Sequence, residues 1–267
     1  MTLSFVLFLF LAHLGIGIVF TLVLVGKEAG VKFFRFNAGF AAVLLLVALA
    51  MRPEAVRLGT DAQGVALALL LTATGAVLVY WATIGRVLAR LRPLWVWTAV
   101  LSGGAALAAQ GLAAAGGGGL PAALTAASFV TSAALLGGTS TAMILGHWYL
   151  VLPSMDVSLL QSVVRFHIGS TALRILVVAA AVWWAIAVAE LPGVPFDRYV
   201  LSIDGVFFWQ RVLFGLLGPV VLAYLTWETA KIRSTQSATG ILYVDFFTVI
   251  VGEVLAKYLL VATSVPV

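Results

Sequence analysis

Eight long apolar segments divide this chain, and they restrict its fold more than any other feature. They lie approximately at 3–26, 34–51, 63–84, 94–115, 122–151, 157–188, 205–230 and 239–263. A helix needs about 20 apolar residues to cross the hydrocarbon core of a bilayer, and each segment is close to that length. The pattern predicts an all-α fold, a polytopic membrane protein with eight transmembrane helices in one bundle.

Composition agrees with this class. Hydrophobic residues make up 63% of the chain and charged residues 9%, against about 45–50% and about 25% in soluble domains. Since no polar segment is long enough to fold separately in water, residues 1–267 are predicted to form a single integral membrane domain. The first segment lacks a basic start and a small-residue cleavage site, so we expect a retained helix and not a signal peptide.

The distribution of basic residues between the loops predicts the orientation. Loops 1–2, 3–4 and 7–8 carry Lys27, Lys32, Arg35, Arg86, Arg90, Arg92, Lys231 and Arg233, and the opposite loops carry only Arg52, Arg57 and Arg198. Basic loops face the cytoplasm, so both termini are predicted on the outer (periplasmic) side of a bacterial inner membrane. The net charge of +5 is then a topology signal, and no nucleic-acid partner is expected.

Two histidines on different segments are predicted to lie near the middle of the bilayer. His13 lies about ten residues into the first segment and His167 about ten residues into the sixth, which places both ~15 Å from the nearer membrane edge. Two imidazoles at equal depth are typical of bis-histidine haem b ligation, with both as ligands of the haem iron. Arg174 and Arg211 would then pair with the haem propionates. In the alternative without haem, the histidines form hydrogen bonds between helices and the arginines pair with Glu253.

A second set of polar residues is predicted near the cytoplasmic side. It comprises His147, Gln161, Arg165, Glu228 and Asp245. Such side chains can supply the hydrogen-bond donors and proton carriers that a quinone headgroup requires, so we expect a quinone or proton site there. The alternative is a structural salt-bridge network, for instance Arg165 with Asp245 or Glu228.

Several chemistries lack their sequence signatures. No Walker loop, GxGxxG turn, nucleophile elbow or HExxH motif is present. The absence of cysteine excludes a disulfide framework, a cysteine-ligated iron–sulfur cluster and a thiolate zinc site within this chain. Three histidines are too few for a copper–haem oxidase centre.

These observations favour one function and leave two alternatives. The favoured one is the membrane subunit of a respiratory or redox complex that moves electrons between the quinone pool and a partner protein. The partner would be another subunit, or a soluble cytochrome or catalytic subunit docking on the acidic outer loop 190–204; the chain alone would then be an incomplete oxidoreductase. The alternatives are a proton- or ion-coupled transporter, whose path would include Glu253 and Lys257 as an i,i+4 pair, and a haem-free quinone-binding anchor.

Overall fold

A computed structural model describes residues 3–86, 89–152, 155–188 and 195–267, and within them the secondary structure is entirely helical, without strands. Eight helical segments are long and apolar enough to cross a membrane, as the sequence predicts. The α-helices are α1 (Leu3–Leu22), α2 (Gly30–Ala50), α3 (Ala62–Thr83), α4 (Arg92–Ala114), α5 (Gly119–Val151), α6 (Ser158–Ala187), α7 (Phe196–Val200), α8 (Val206–Val212), α9 (Gly218–Lys231) and α10 (Thr235–Thr263).

Three predicted helix ends differ from the structure by four residues: the end of α1 and the starts of α2 and α10. α2 begins at Gly30, before the predicted residue 34, because a short 3₁₀ turn at Lys27–Ala29 leads directly into it. α1 stops at Leu22, not near residue 26, because the chain turns while it is still apolar: the Leu24 amide bonds the Thr21 carbonyl, and Val25 is buried within the turn. α10 begins at Thr235, four residues before the predicted 239. Its polar first turn continues the helix beyond the apolar segment. The predicted turn at Pro153-Ser154 and the start of the acidic loop lie outside the described residues.

The seventh membrane segment is not a regular helix. α8 and α9 are joined by a π-helical stretch, Leu213–Leu217, and α9 starts at Gly218-Pro219. Proline has no amide hydrogen to donate and its ring crowds the preceding turn. The wider π turn is a common adjustment inside α-helices and is frequent at functional sites. It begins two residues beyond Arg211, a fully buried cation.

α5 packs against α1, α4, α6 and α10. Its contact with α1 is a backbone-to-backbone approach: a β-carbon added at Gly137 would lie 1.9 Å from the carbonyl oxygen of Gly17. The next residue, Gly138, faces the backbone of His167 on α6. Small residues permit such close packing in membranes, where helices gain little from burying apolar surface. α5 therefore lies between the two helices that carry the predicted haem ligands.

Candidate functional site

A fully buried carboxylate, Glu253 on α10, collects hydrogen bonds from four side chains. Arg174 Nε donates to its Oε1 at 3.0 Å and Arg211 Nη2 donates to the same oxygen at 2.9 Å. Lys257 Nζ donates to Oε2 at 2.7 Å, and Ser132 Oγ donates to Oε2 at 2.5 Å. The predicted i,i+4 pair is thus confirmed, and both arginines meet Glu253. We call these five residues the Glu253 cluster.

Ser132 joins the Glu253 cluster to a histidine. Its hydroxyl lies 3.2 Å from Nδ1 of His13 on α1, and it also accepts a hydrogen bond from Lys257 Nζ. The His13 ring packs edge-on against Phe129 of α5, with ring centroids 4.7 Å apart. Within the described residues, His13 Nε2 has no hydrogen-bond partner. One hydroxyl therefore touches an imidazole, an ammonium and a carboxylate.

Arg174 extends the cluster along α6 toward the end of the chain. Its Nη1 donates to the carbonyl and hydroxyl of Ser128 at 3.1 and 2.6 Å. Its Nη2 donates to Glu253 and to the carbonyl of Val267, at 3.3 Å each. A cavity of about 10 Å³ beside Arg174 and Lys257 is lined by Val267, and this is about the volume that one water needs.

Arg211 has fewer partners than the other cations. Its Nη2 donates to Glu253. Its Nε and Nη1 atoms are buried and have no hydrogen-bond partner among residues 3–86, 89–152, 155–188 and 195–267. The guanidinium lies against two glycines, and a β-carbon at Gly215 would lie 1.9 Å from Nη1. Gly252 of α10 is close to the same atom. A β-carbon at either glycine would also meet the backbone of the other, so this close approach of α10 to the π turn requires glycine at both positions.

The charges of the Glu253 cluster are unequal. Three cations, Arg174, Arg211 and Lys257, share one carboxylate. Removing a charge from water costs several kcal/mol per ion even after relaxation, so a buried ion needs close partners. Each of these three cations has one in Glu253. Glu253 therefore supplies the counter-charge that all three cations share.

A second buried acid–base pair lies on the same face of α10. His167 Nε2 is 2.7 Å from Asp245 Oδ2, and both side chains are fully buried. Thr139 Oγ1 of α5 donates to the same oxygen at 3.3 Å. Among the described residues, His167 Nδ1 and Asp245 Oδ1 have no hydrogen-bond partner. We call this group the Asp245 pair.

The two buried groups follow one another along the α5–α10 interface. Asp245 and Glu253 are about two turns apart, ~12 Å along the axis of α10. Their partners on α5, Thr139 and Ser132, are spaced i,i+7 and so share one helix face. The interface therefore carries a row of ionisable and hydroxyl side chains.

The structure brings together the four residues of the predicted haem set only in part. His13, Arg174 and Arg211 all belong to or touch the Glu253 cluster. His167 belongs instead to the Asp245 pair. α5 packs against the helices of both histidines. Joint ligation of a haem by His13 and His167 stays a prediction.

The predicted cytoplasm-side set is spread over several surfaces. Asp245 is buried with His167, while His147 is exposed and bonded through Nδ1 to the hydroxyl of Tyr243 at 2.9 Å. Gln161 donates to the backbone of Ala230 at 3.4 Å. Arg165 is exposed on α6, and Glu228 forms a surface pair with Lys231. Within the described residues, Asp245 pairs with His167 and Glu228 with Lys231, and Arg165 forms an ion pair with neither acid.

Sequence reasoning missed the hydroxyl residues of α5. Ser128 and Ser132 are one turn apart and Thr139 follows two turns later, and all three are buried. The spacing i, i+4, i+11 on an otherwise apolar helix is a visible signal for one polar face. The signal is hard to recognise, because α5 also carries serine and threonine at other positions.

No group of three or more His, Cys, Asp or Glu side chains suited to a metal ion occurs in the part of the chain that the structure describes. Comparisons of the chain with protein-family models and with curated protein sequences gave no match. The buried groups themselves therefore provide the basis on which a function can be inferred.

Proposed function

We propose that this chain is a proton-coupled membrane transporter, and that the row of groups between α5 and α10 is its proton path. The observation that supports this is the full burial of Asp245, His167, Glu253, Arg174 and Lys257 in helices long enough to cross a membrane. Ionisable side chains at such depth are costly, and in membrane proteins they commonly form proton relays.

The types of side chain suit proton transfer. An imidazole and a carboxyl group can each bind and release a proton, and His167 Nε2 lies 2.7 Å from Asp245 Oδ2, within reach for a transfer between them. A hydroxyl both donates and accepts, so Ser132 can pass a proton among His13, Lys257 and Glu253, all of which it contacts. The two groups thus offer successive proton sites.

The row also extends over much of the membrane thickness. It runs from Asp245 to Lys257. The distance between these residues along α10 is ~18 Å, against a hydrocarbon core of ~30 Å. Under this proposal a single bundle lies in a bacterial inner membrane with its termini outside, as the loop charges indicate.

A second candidate is the membrane subunit of a quinone-linked redox complex, with haem b as its relay and a partner protein on the outer face. One observation favours it: His13 Nε2 and His167 Nδ1 are buried nitrogens without a hydrogen-bond partner among the described residues. Each of these nitrogens is free to coordinate a metal ion. A single haem held by both imidazoles would require the two rings to face the same space. The packing of α5 against both α1 and α6 makes this demanding, because α5 contacts the helices of both histidines.

Proton binding can be tested by electrical recording from proteoliposomes on a solid-supported membrane after a pH jump. We expect a transient charge displacement in the wild type that is lost in Asp245→Asn. Glu228→Gln is the matched control, because Glu228 forms an exposed surface pair, and it should keep the signal. Absence of any displacement from folded wild-type protein would refute the proton path.

The redox candidate is tested on the same preparation by a visible spectrum, oxidised and then dithionite-reduced. Two results together would favour the redox subunit over the transporter. The first is a sharp low-spin haem band that is lost in both His13→Ala and His167→Ala. The second is a charge displacement in Asp245→Asn that is unchanged from wild type. A flat spectrum from haem-replete cells, together with a pH-dependent displacement, is the result expected for the transporter.

A further inference from the structure

A separate cleft lies at the end of the molecule that is rich in lysine and arginine. It has a volume of about 580 Å³ and lies where the end of α1, the start of α2, the end of α3 and the start of α4 meet. Ligand pockets in proteins commonly measure about 300–1,000 Å³. The cleft is therefore large enough for a substantial part of an amphiphilic molecule, and it shares no residue with the Glu253 cluster or the Asp245 pair.

The polar part of this cleft is cationic. Lys27 and Arg92 both line it, and neither has a carboxylate within ion-pair distance anywhere in residues 3–86, 89–152, 155–188 and 195–267. Arg92 Nε is buried and also has no hydrogen-bond partner there. Buried donors in proteins are nearly always satisfied. An acceptor carrying negative charge would complement both residues.

Apart from Tyr80, which carries a phenol hydroxyl, the remaining lining is largely apolar and suits hydrocarbon. Leu22, Phe34, Ile84 and Val96 contribute aliphatic and aromatic surface. Trp97, also in the lining, is half exposed, and tryptophan favours the level of the lipid headgroups. The cleft thus has a cationic part and an apolar part, at the end of the helices where a leaflet's headgroups would lie.

We propose that this cleft binds one anionic phospholipid, with its phosphate at Lys27 and Arg92 and part of its acyl chains along the apolar lining. Basic pockets between helices on the cytoplasmic side are a known means of holding acidic lipids. A quinone is uncharged and would leave both cations without a counter-charge. The proposal is independent of the proton path, since it uses other residues and another end of the molecule.

The test is the binding of phosphatidylglycerol and phosphatidylcholine to delipidated protein in detergent, measured by native mass spectrometry. Wild-type protein should bind phosphatidylglycerol in preference to phosphatidylcholine. The double substitution Lys27→Gln with Arg92→Gln should weaken phosphatidylglycerol binding about tenfold or more, because each basic residue near a lipid surface contributes appreciably. Binding of phosphatidylcholine should not change.

The control removes the same number of positive charges at the same end of the molecule. Lys231→Gln with Arg233→Gln removes two exposed cations outside the cleft and should leave phosphatidylglycerol binding within about twofold of wild type. Equal binding of the two lipids by the wild type, or equal losses in both double variants, would overturn the proposal. Displacement of bound phosphatidylglycerol by decylubiquinone would also overturn the proposal, because it would assign the cleft to a quinone. Size-exclusion profiles establish that each variant is folded.

Discussion

The substitution Glu253→Gln tests whether one carboxylate holds the buried cations together. Glutamine has nearly the same volume as glutamate, so the change removes charge while leaving the packing of α10 intact. Glu253 accepts hydrogen bonds from Arg174, Arg211, Lys257 and Ser132. Removing one partner of a buried ion pair costs about 3–5 kcal/mol, because the other charge stays buried and uncompensated. We expect a loss of that size or more in the free energy of unfolding.

The measurement is equilibrium unfolding in mixed micelles with increasing dodecyl sulfate, followed by the fluorescence of the chain's eight tryptophans. Glu228→Gln provides the control, since exposed pairs contribute about 0–1 kcal/mol and the Glu228–Lys231 pair is exposed. Adding Lys257→Met to Glu253→Gln should recover part of the loss, because one uncompensated cation is removed. If Glu253→Gln unfolds like Glu228→Gln, the reasoning about buried charge is wrong.

Two further predictions concern packing and topology. Gly137→Val should destabilise the protein by about 1–3 kcal/mol or prevent folding, because the new side chain would overlap the backbone of Gly17. Gly75→Ala, where a β-carbon meets no atom within 4 Å, should be neutral or slightly stabilising in the same unfolding assay; equal effects of the two would contradict the α1–α5 contact. Because the chain has no cysteine, Ile203→Cys and Ile232→Cys can each serve as a single reporter for a membrane-impermeant maleimide. Ile203→Cys should react in spheroplasts and Ile232→Cys only after the membrane is opened, and the reverse pattern would invert the proposed orientation.

Much of the helical layout was predictable because it depends on local chemistry. In a bilayer core each backbone polar group must be satisfied within its own helix, so a long apolar segment has one structural outcome. The Glu253–Lys257 pair was predictable for a similar reason, since i,i+4 residues always share a helix face.

Partner choice between helices was less predictable. Depth along a helix placed His13 and His167 at one level, but depth says nothing about rotation about the helix axis. That rotation directs His167 to Asp245 and His13 to Ser132. The inner polar residues shared a depth as well, yet His147, Arg165 and Glu228 lie on exposed surfaces or in surface pairs.

The sequence by itself determined the class of protein, the eight membrane segments and the uneven distribution of charge between the loops. All three depend on hydrophobic length and composition, which act locally along the chain. Only the tertiary structure decided which charges meet. Membrane helices are apolar on nearly every side, so no amphipathic stripe marks the face that packs inward. The close approach of Gly17 to Gly137, and of Gly215 to Gly252, sets the rotation and spacing of the helices. That arrangement brings three cations from α6, α8 and α10 to a single carboxylate.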